Sequence, residues 1–331
     1  MTLSLTSASA SFFGTVVGSL LYGLFFVLAI LSAVLHIQHI MRGHQNASRR
    51  TIMGSVLRNP MIMAGIMLFL TVTAHWILDI IDTAYGLLES ENPKVYFLAL
   101  IRPRAVTGFA FLLVSLVICD TMIIYRLWIV WNKSTLVVIF PVITLLGMLA
   151  CGIGDTHQFA ITAVGESVFT QEFARWIVAD SVFNLLTNVY STGLIAYRIY
   201  TINARMSIVT RVHGGDDLKS VMAILVESSA LLSAWIVFHM ITYSTKSALE
   251  IFVLNTLGTV SGLSFMLINI RVALGWGQTE TISGSSTDRP NLVPPRVRME
   301  TQVDTHVDMP TKSSTDNHNE YELDEVAKGQ I

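Results

Sequence analysis

Seven apolar runs, each about as long as a bilayer's hydrocarbon core is thick, leave this chain a single kind of solvent and a single kind of backbone. They cover residues 12–36, 61–87, 106–130, 134–153, 173–197, 221–243 and 251–270. In hydrocarbon every backbone N–H and C=O must find its partner within the segment, so runs of this length must be helices. That holds despite their many Val, Ile and Thr residues. The reading is an all-α polytopic membrane protein: a seven-transmembrane-helix bundle over residues 1–271, followed by a disordered tail over 272–331.

Composition agrees. The chain has 331 residues, of which 52% are hydrophobic and 13% charged. Soluble domains run nearer a quarter charged, so this chain has too little polar surface to face water on every side. The net charge of −2 gives no field that favours nucleic acid, and no basic stripe is interleaved with aromatics. The tail is rich in Ser, Thr, Asp, Asn and Pro. It buries too little apolar surface to offset ordering entropy. Its Thr281, Ser283, Ser285, Ser286 and Thr287 are phosphate acceptors by chemistry, although a plain solvated tail is the preferred reading. Cys119 and Cys151 fall in two spans at depths about 15 Å apart, so no bridge between them is expected.

Boundary residues support the division. No Lys or Arg precedes Arg42, so the first run lacks the basic flank of a cleaved signal and reads as a retained span. Pro60 suits a first helical turn. Trp128, Trp131 and Trp276 suit headgroup level. Asn132-Lys133 is a very tight link, which makes spans three and four an antiparallel pair. Counting Lys and Arg, the odd-numbered loops carry ten (Arg126 among them) and the even-numbered loops four. By the positive-inside rule the odd loops are cytoplasmic, the N-terminus is outside and the tail is inside. A multi-pass membrane protein is expected, with the plasma membrane as its expected location. The sequons at Asn46 and Asn132 then lie in the cytoplasm and stay unglycosylated.

Ionisable groups inside spans are costly and mark function. In span two, His75, Asp79 and Asp82 fall within about 60° of one face, in the outer half. They suit a cation, an amine or a hydroxylated ligand; the plain alternative is carboxylates facing interfacial water. In span five, Asp180, Asn184, Thr187, Asn188 and Ser191 form a stripe about 100° wide. Asp180 and Asn184 are candidates for a cavity, while Asn188 and Ser191 read as interhelical hydrogen bonding. In span six, Ser228, Trp235, His239 and Tyr243 share a stripe that serves either a ligand or core packing. Asp120 stands alone near the middle of span three. Asp155, with Glu166, reads as part of the fourth loop.

Several chemistries are argued down. Span seven has no lysine for a retinal Schiff base. There is no His-Glu-x-x-His, Gly-x-Ser-x-Gly or phosphate-binding loop. His36 and His39, three residues apart with no acidic neighbour, read as interfacial residues and not as metal ligands. No cofactor is expected.

Residues 120–131 (DTMIIYRLWIVW), 184–200 (NLLTNVYSTGLIAYRIY), 227–235 (ESSALLSAW) and 262–276 (GLSFMLINIRVALGW) carry a resemblance. Together they resemble an uncharacterised family of seven-transmembrane, receptor-like membrane proteins abundant in mushroom-forming basidiomycete fungi. The resemblance implies a heptahelical membrane protein and assigns it no ligand or activity. The rhodopsin-like receptors match less well. Tyr125-Arg126 lacks the acidic residue before it, spans five to seven lack proline, and the outer cysteine pair is absent.

Three functions are carried forward. The first is a receptor-like protein that binds a small extracellular ligand among His75, Asp79, Asp82, Asp120, Asp180, Asn184, Trp235 and His239, and signals through basic loops to a cytoplasmic G protein. The second is a secondary transporter or proton-coupled carrier with Asp79, Asp82, Asp120 and Asp180 as relays. The third, a membrane enzyme, has least support. The bilayer is the shared partner.

Overall fold

The computed structural model describes residues 7–43, 59–91, 93–98, 102–161, 171–209 and 215–284, all within one compact unit. Among the described residues every regular element is an α-helix. We number them α1 (Ser7–Gly43), α2 (Pro60–Leu88), α3 (Pro93–Leu98), α4 (Pro103–Val130), α5 (Leu136–Ile161), α6 (Gln171–Val209), α7 (Gly215–Ser244) and α8 (Leu249–Gly284). The end of the bundle where α1 begins is called the amino face, and the opposite end the carboxy face.

Local chemistry sets the ends. Asn59 caps α2, its side chain accepting from the Met61 N–H at 3.1 Å, with Pro60 in the first turn, where a missing N–H is harmless. The link from α4 to α5 turns through Asn132 and Lys133, both at positive φ (51° and 61°). Pro141 lies inside α5 and leaves the Val137 carbonyl without its helical donor. The Tyr190 hydroxyl of α6 donates to that carbonyl at 3.4 Å, so the helix continues through the proline.

The seven long helices close a ring in the order α1, α2, α4, α5, α6, α7, α8 and back to α1. The helix α4 also reaches across to α6 and α8, while α3 packs on the ends of α1 and α2. Apolar side chains fill the interior in layers, for example Phe25, Leu68, Met122 and Phe265 in one, and Leu112, Met148, Leu232 and Ile236 in another. Apolar packing is only part of the cohesion, because lipid is as apolar as leucine. The largest interface, α1 on α8, is built on small residues. An added Cβ at Gly14 would stand 3.1 Å from the Phe252 backbone and 3.3 Å from Asn255. Gly262 of α8 lies against the Phe25 ring of α1, while Gly258 opens α8 toward His75 of α2 and Leu112 of α4. Hydroxyls tie other pairs: Tyr22 to Thr73, Thr15 to Thr83, Ser115 to Thr71, and Thr144 to Thr187. Each such bond contributes about 0.6 kcal/mol.

Among the described residues, six helices are long and apolar enough to cross a membrane: α1, α2, α4, α5, α7 and α8. The seventh expected span, α6, is not among them. It sits in the ring between α5 and α7 all the same. Its buried side carries Ser181, Asn184, Thr187, Asn188 and Ser191, and its exposed side Leu186, Val189, Tyr197 and Tyr200. The polar stripe therefore points inward, and it lowers the helix's average hydropathy without wetting its outer face.

Three expectations are corrected. Asp155 is not a loop residue: α5 runs on to Ile161 and buries it to 1% exposure. Arg126 does not belong to a loop either. It is buried in α4 and donates to the Asn269 side chain of α8, which leaves the charge tally at nine against four. Nor do Asn188 and Ser191 bridge helices. Asn188 Oδ1 accepts from Thr192 of its own helix, and Ser191 Oγ has no partner among the described residues. The interhelical bond is made by Thr187 instead. The last helix passes the expected end of its span and reaches Gly284. Asn46 and the tail from residue 285 lie outside the described residues. Both cysteines are free and buried.

Candidate functional site

At the amino face, the three ionisable residues of α2 do share one side. His75 Nδ1 lies 3.0 Å from the Gly108 carbonyl of α4, and its Nε2 lies 3.3 Å from Asp79 Oδ2. The second contact has the length of an ion pair, though the ring N–H is not aimed squarely at the carboxylate. One turn further, Asp82 is held by the Arg102 guanidinium and by the Tyr96 hydroxyl, which donates to it at 2.8 Å. Arg102 also lies over the Tyr96 ring, 4.6 Å from its centroid. Burial, and then the bond to Asp82 and its charge, push the Tyr96 phenol above its ordinary value, so it remains a donor.

These groups line a cavity of about 310 Å³, at the lower end of the range for small-ligand sites. Asp79, Asp82 and Glu250 bring negative charge to it, and Arg102 and Lys246 positive charge. Phe97, Phe109, Ile251 and Leu254 supply apolar wall. A ligand with a cationic or hydroxylated end and an apolar body fits this lining.

Beneath it lies a second, smaller cavity of about 30 Å³, which shares Phe109, Leu112, Phe159 and Leu254 with the first. Asp155 of α5, Asp180 and Asn184 of α6, and His239 of α7 line it. One buried side chain joins the two chambers. His239 Nε2 is 2.9 Å from Glu250 Oε1 in the upper cavity, and its Nδ1 is 3.1 Å from Ser181 Oγ in the lower. Thr242 donates to the other Glu250 oxygen at 3.2 Å. Asp155 Oδ1, Asp180 Oδ1 and Asn184 Oδ1 have no hydrogen-bond partner among the described residues.

A third cavity, also about 30 Å³, lies toward the carboxy face and is lined by Asp120, Arg126, Asn188, Ser229 and Ser264 among others. Asp120 is 2% exposed and its Oδ2 is unpartnered among the described residues. The structure therefore gathers His75, Asp79 and Asp82 in one chamber and Asp180, Asn184 and His239 in the next, with Asp120 apart. Trp235 lines none of the three. Its indole N–H donates to Thr256 at 3.2 Å and fastens α7 to α8.

Sequence reasoning missed Asp155, Glu250, Arg126 and Asn269 as interior polar groups. Asp155 carried a signal: it stands at helical spacing from the buried Met148 and Cys151. Glu250 sits in the first turn of its helix, one residue before the expected span. Its pairing with His239 depends on the turn through Lys246 (φ 50°), which no pattern announces.

Serine, histidine and a carboxylate in a row resemble a nucleophile with its base and orienting acid. The likeness ends there. Ser181 Oγ opens on space for about one water, and the surrounding helices have spent their backbone N–H groups internally, so none is free for an oxyanion.

Comparison of the chain with protein-family models, curated proteins and solved structures finds no match. What can be stated of its class rests on the fold: a helical, multi-pass membrane protein with six helices fit to cross a bilayer.

Proposed function

We propose that the chain is a receptor-like heptahelical protein of the plasma membrane, allied to the seven-span family of basidiomycete fungi that its sequence resembles. In this reading α6 is the seventh span, the amino face is extracellular, and the carboxy face meets a cytoplasmic G protein. The observation that carries it is the amino-face cavity of about 310 Å³, in which three carboxylates, an imidazole and two cationic side chains stand beside an apolar wall. The occupant is a small ligand with an amine or hydroxyl end, recognised by Asp79, while Asp82 is already committed to Arg102 and Tyr96, and Glu250 to Thr242 and His239. The surplus of basic residues in the odd loops supports the orientation. The test is a ligand screen read by G-protein coupling of the purified protein, repeated with Asp79→Asn. Loss of response in the variant, with folding intact, supports the reading; a ligand that binds equally well to both proteins removes Asp79 from it.

A secondary transporter is the second reading, favoured by the descent of carboxylates from Asp79 through Asp180 and Asp155 to Asp120. Against it, the helices are not broken at mid-depth. Pro141, the proline inside α5, lies near that helix's start, and its freed carbonyl is satisfied. Proton-coupled uptake into vesicles that disappears in Asp180→Asn would decide for the carrier.

A further inference from the structure

Three of the residues that line the small middle cavity carry a buried oxygen without a hydrogen-bond partner among the described residues. They are Asp155 Oδ1, Asp180 Oδ1 and Asn184 Oδ1, and Asp155 and Asn184 are only 1% and 2% exposed. A buried acceptor left without a partner costs about 1–3 kcal/mol, and more when charged, so three around one space call for a common occupant. We propose that this cavity binds one small monovalent cation of sodium's size, held by Asp155 Oδ1, Asp180 Oδ1 and Asn184 Oδ1.

His239 Nδ1 meets Ser181 Oγ, and its Nε2 lies at ion-pair distance from Glu250 Oε1 without the alignment of a hydrogen bond. No Lys or Arg lines the cavity, so its carboxylates lack a fixed counter-charge there. Size selects among cations. About 30 Å³ admits a bare alkali-metal ion and does not admit a hydrated or organic cation. Ligand number argues against divalent ions. Calcium takes six to eight oxygens and magnesium a strict octahedron, whereas the cavity offers three free oxygens and the Ser181 hydroxyl. Phe109, Leu112, Phe159 and Leu254 form a wall common to this cavity and the amino-face chamber. His239 and Glu250 span that wall, so an ion below and a ligand above would act on the same pair.

The site does not depend on the receptor reading, and its test uses no ligand. The full-length protein in detergent is melted in sodium, potassium or N-methyl-glucamine chloride at equal ionic strength. Sodium is expected to raise Tm by roughly 3 °C or more, saturably, over the other two salts. The isosteric Asp155→Asn and the smaller Asn184→Ala are both tried, so that a folding failure in one leaves the other. Each is expected to abolish the sodium increment. Equal Tm in the three salts overturns the proposal, because the carboxyls are then held as acids without an ion. A full sodium increment in both variants overturns it too, by placing the ion elsewhere.

Discussion

The His75 imidazole joins the α4 backbone to an α2 carboxyl: Nδ1 meets the Gly108 carbonyl at 3.0 Å and Nε2 meets Asp79 Oδ2 at 3.3 Å. A carbonyl only accepts, so Nδ1 carries hydrogen. Nε2 then lies beside the Asp79 carboxyl at ion-pair distance, without the alignment of a hydrogen bond. The ring is positioned by two glycines. An added Cβ at Gly108 would stand 3.7 Å from Nδ1, an ordinary contact, but one at Gly258 would stand 2.8 Å from the ring's Cδ2.

That asymmetry gives the first prediction. Gly258→Ala drives the imidazole off its two partners and destabilises the fold by about 1–3 kcal/mol, while Gly108→Ala stays within about 1 kcal/mol of wild type. Unfolding can be followed by a thiol-reactive dye, because Cys119 and Cys151 are free and buried until the bundle opens. Equal melting curves for the two variants would mean that the ring is not pinned.

Arg102 and Asp82 form an ion pair at the amino face, with side chains 17% and 13% exposed. Partial exposure places it between a surface pair and a buried one. Arg102→Gln leaves Asp82 with the Tyr96 hydroxyl and costs about 2 kcal/mol. Most of that is expected to return in the double variant Asp82→Asn/Arg102→Gln, because the stranded charge is gone. Strictly additive losses, read in the same dye assay, would show that the pair does not couple.

Glycines of the first helix separate packing from propensity. Gly14 lies against α8, with Phe252 and Asn255 within 3.3 Å of its missing Cβ, whereas Gly23 meets nothing within 4 Å. Gly14→Ala is expected to loosen the α1–α8 interface and lower Tm. Gly23→Ala keeps or slightly raises it, since alanine is the better helix former by about 1 kcal/mol. The reverse order would mean that α1 does not pack on α8 in this register.

Much of this architecture was legible because hydrocarbon imposes helices and helices impose a period of 3.6. The spacing of His75, Asp79 and Asp82 gave one face, and the stripe from Asp180 to Ser191 gave an inward side. The failures share a cause. Arg126 lies near the end of one apolar run and Asp155 just past another, and an average over a window counts a charge without asking where it points. In the fold both point inward, Arg126 to Asn269 and Asp155 to a cavity. Pairings across the ring, such as His239 with Glu250, follow from turn geometry and helix order, which a linear pattern does not contain. Tyr190 filling the carbonyl freed by Pro141 is of the same kind.

The crossing of α6 is the remaining prediction. Its average hydropathy is low because its polar residues lie on the buried side; Leu186, Val189, Tyr197 and Tyr200 face out. A helix is admitted to lipid by the face it shows to lipid, and polar groups turned to the bundle's interior are satisfied there. Reporter tags placed near residue 166 and residue 213, on either side of α6, are therefore expected on opposite sides of the membrane, with residue 213 sharing the side of Arg58. Asn46 is expected to stay unglycosylated. Tags on the same side would leave six crossings, return the two termini to one compartment and remove the basis for a heptahelical receptor. The amino-face chamber, whose lining comes from α1 to α5 and α8 and the residues preceding α8, would survive that outcome.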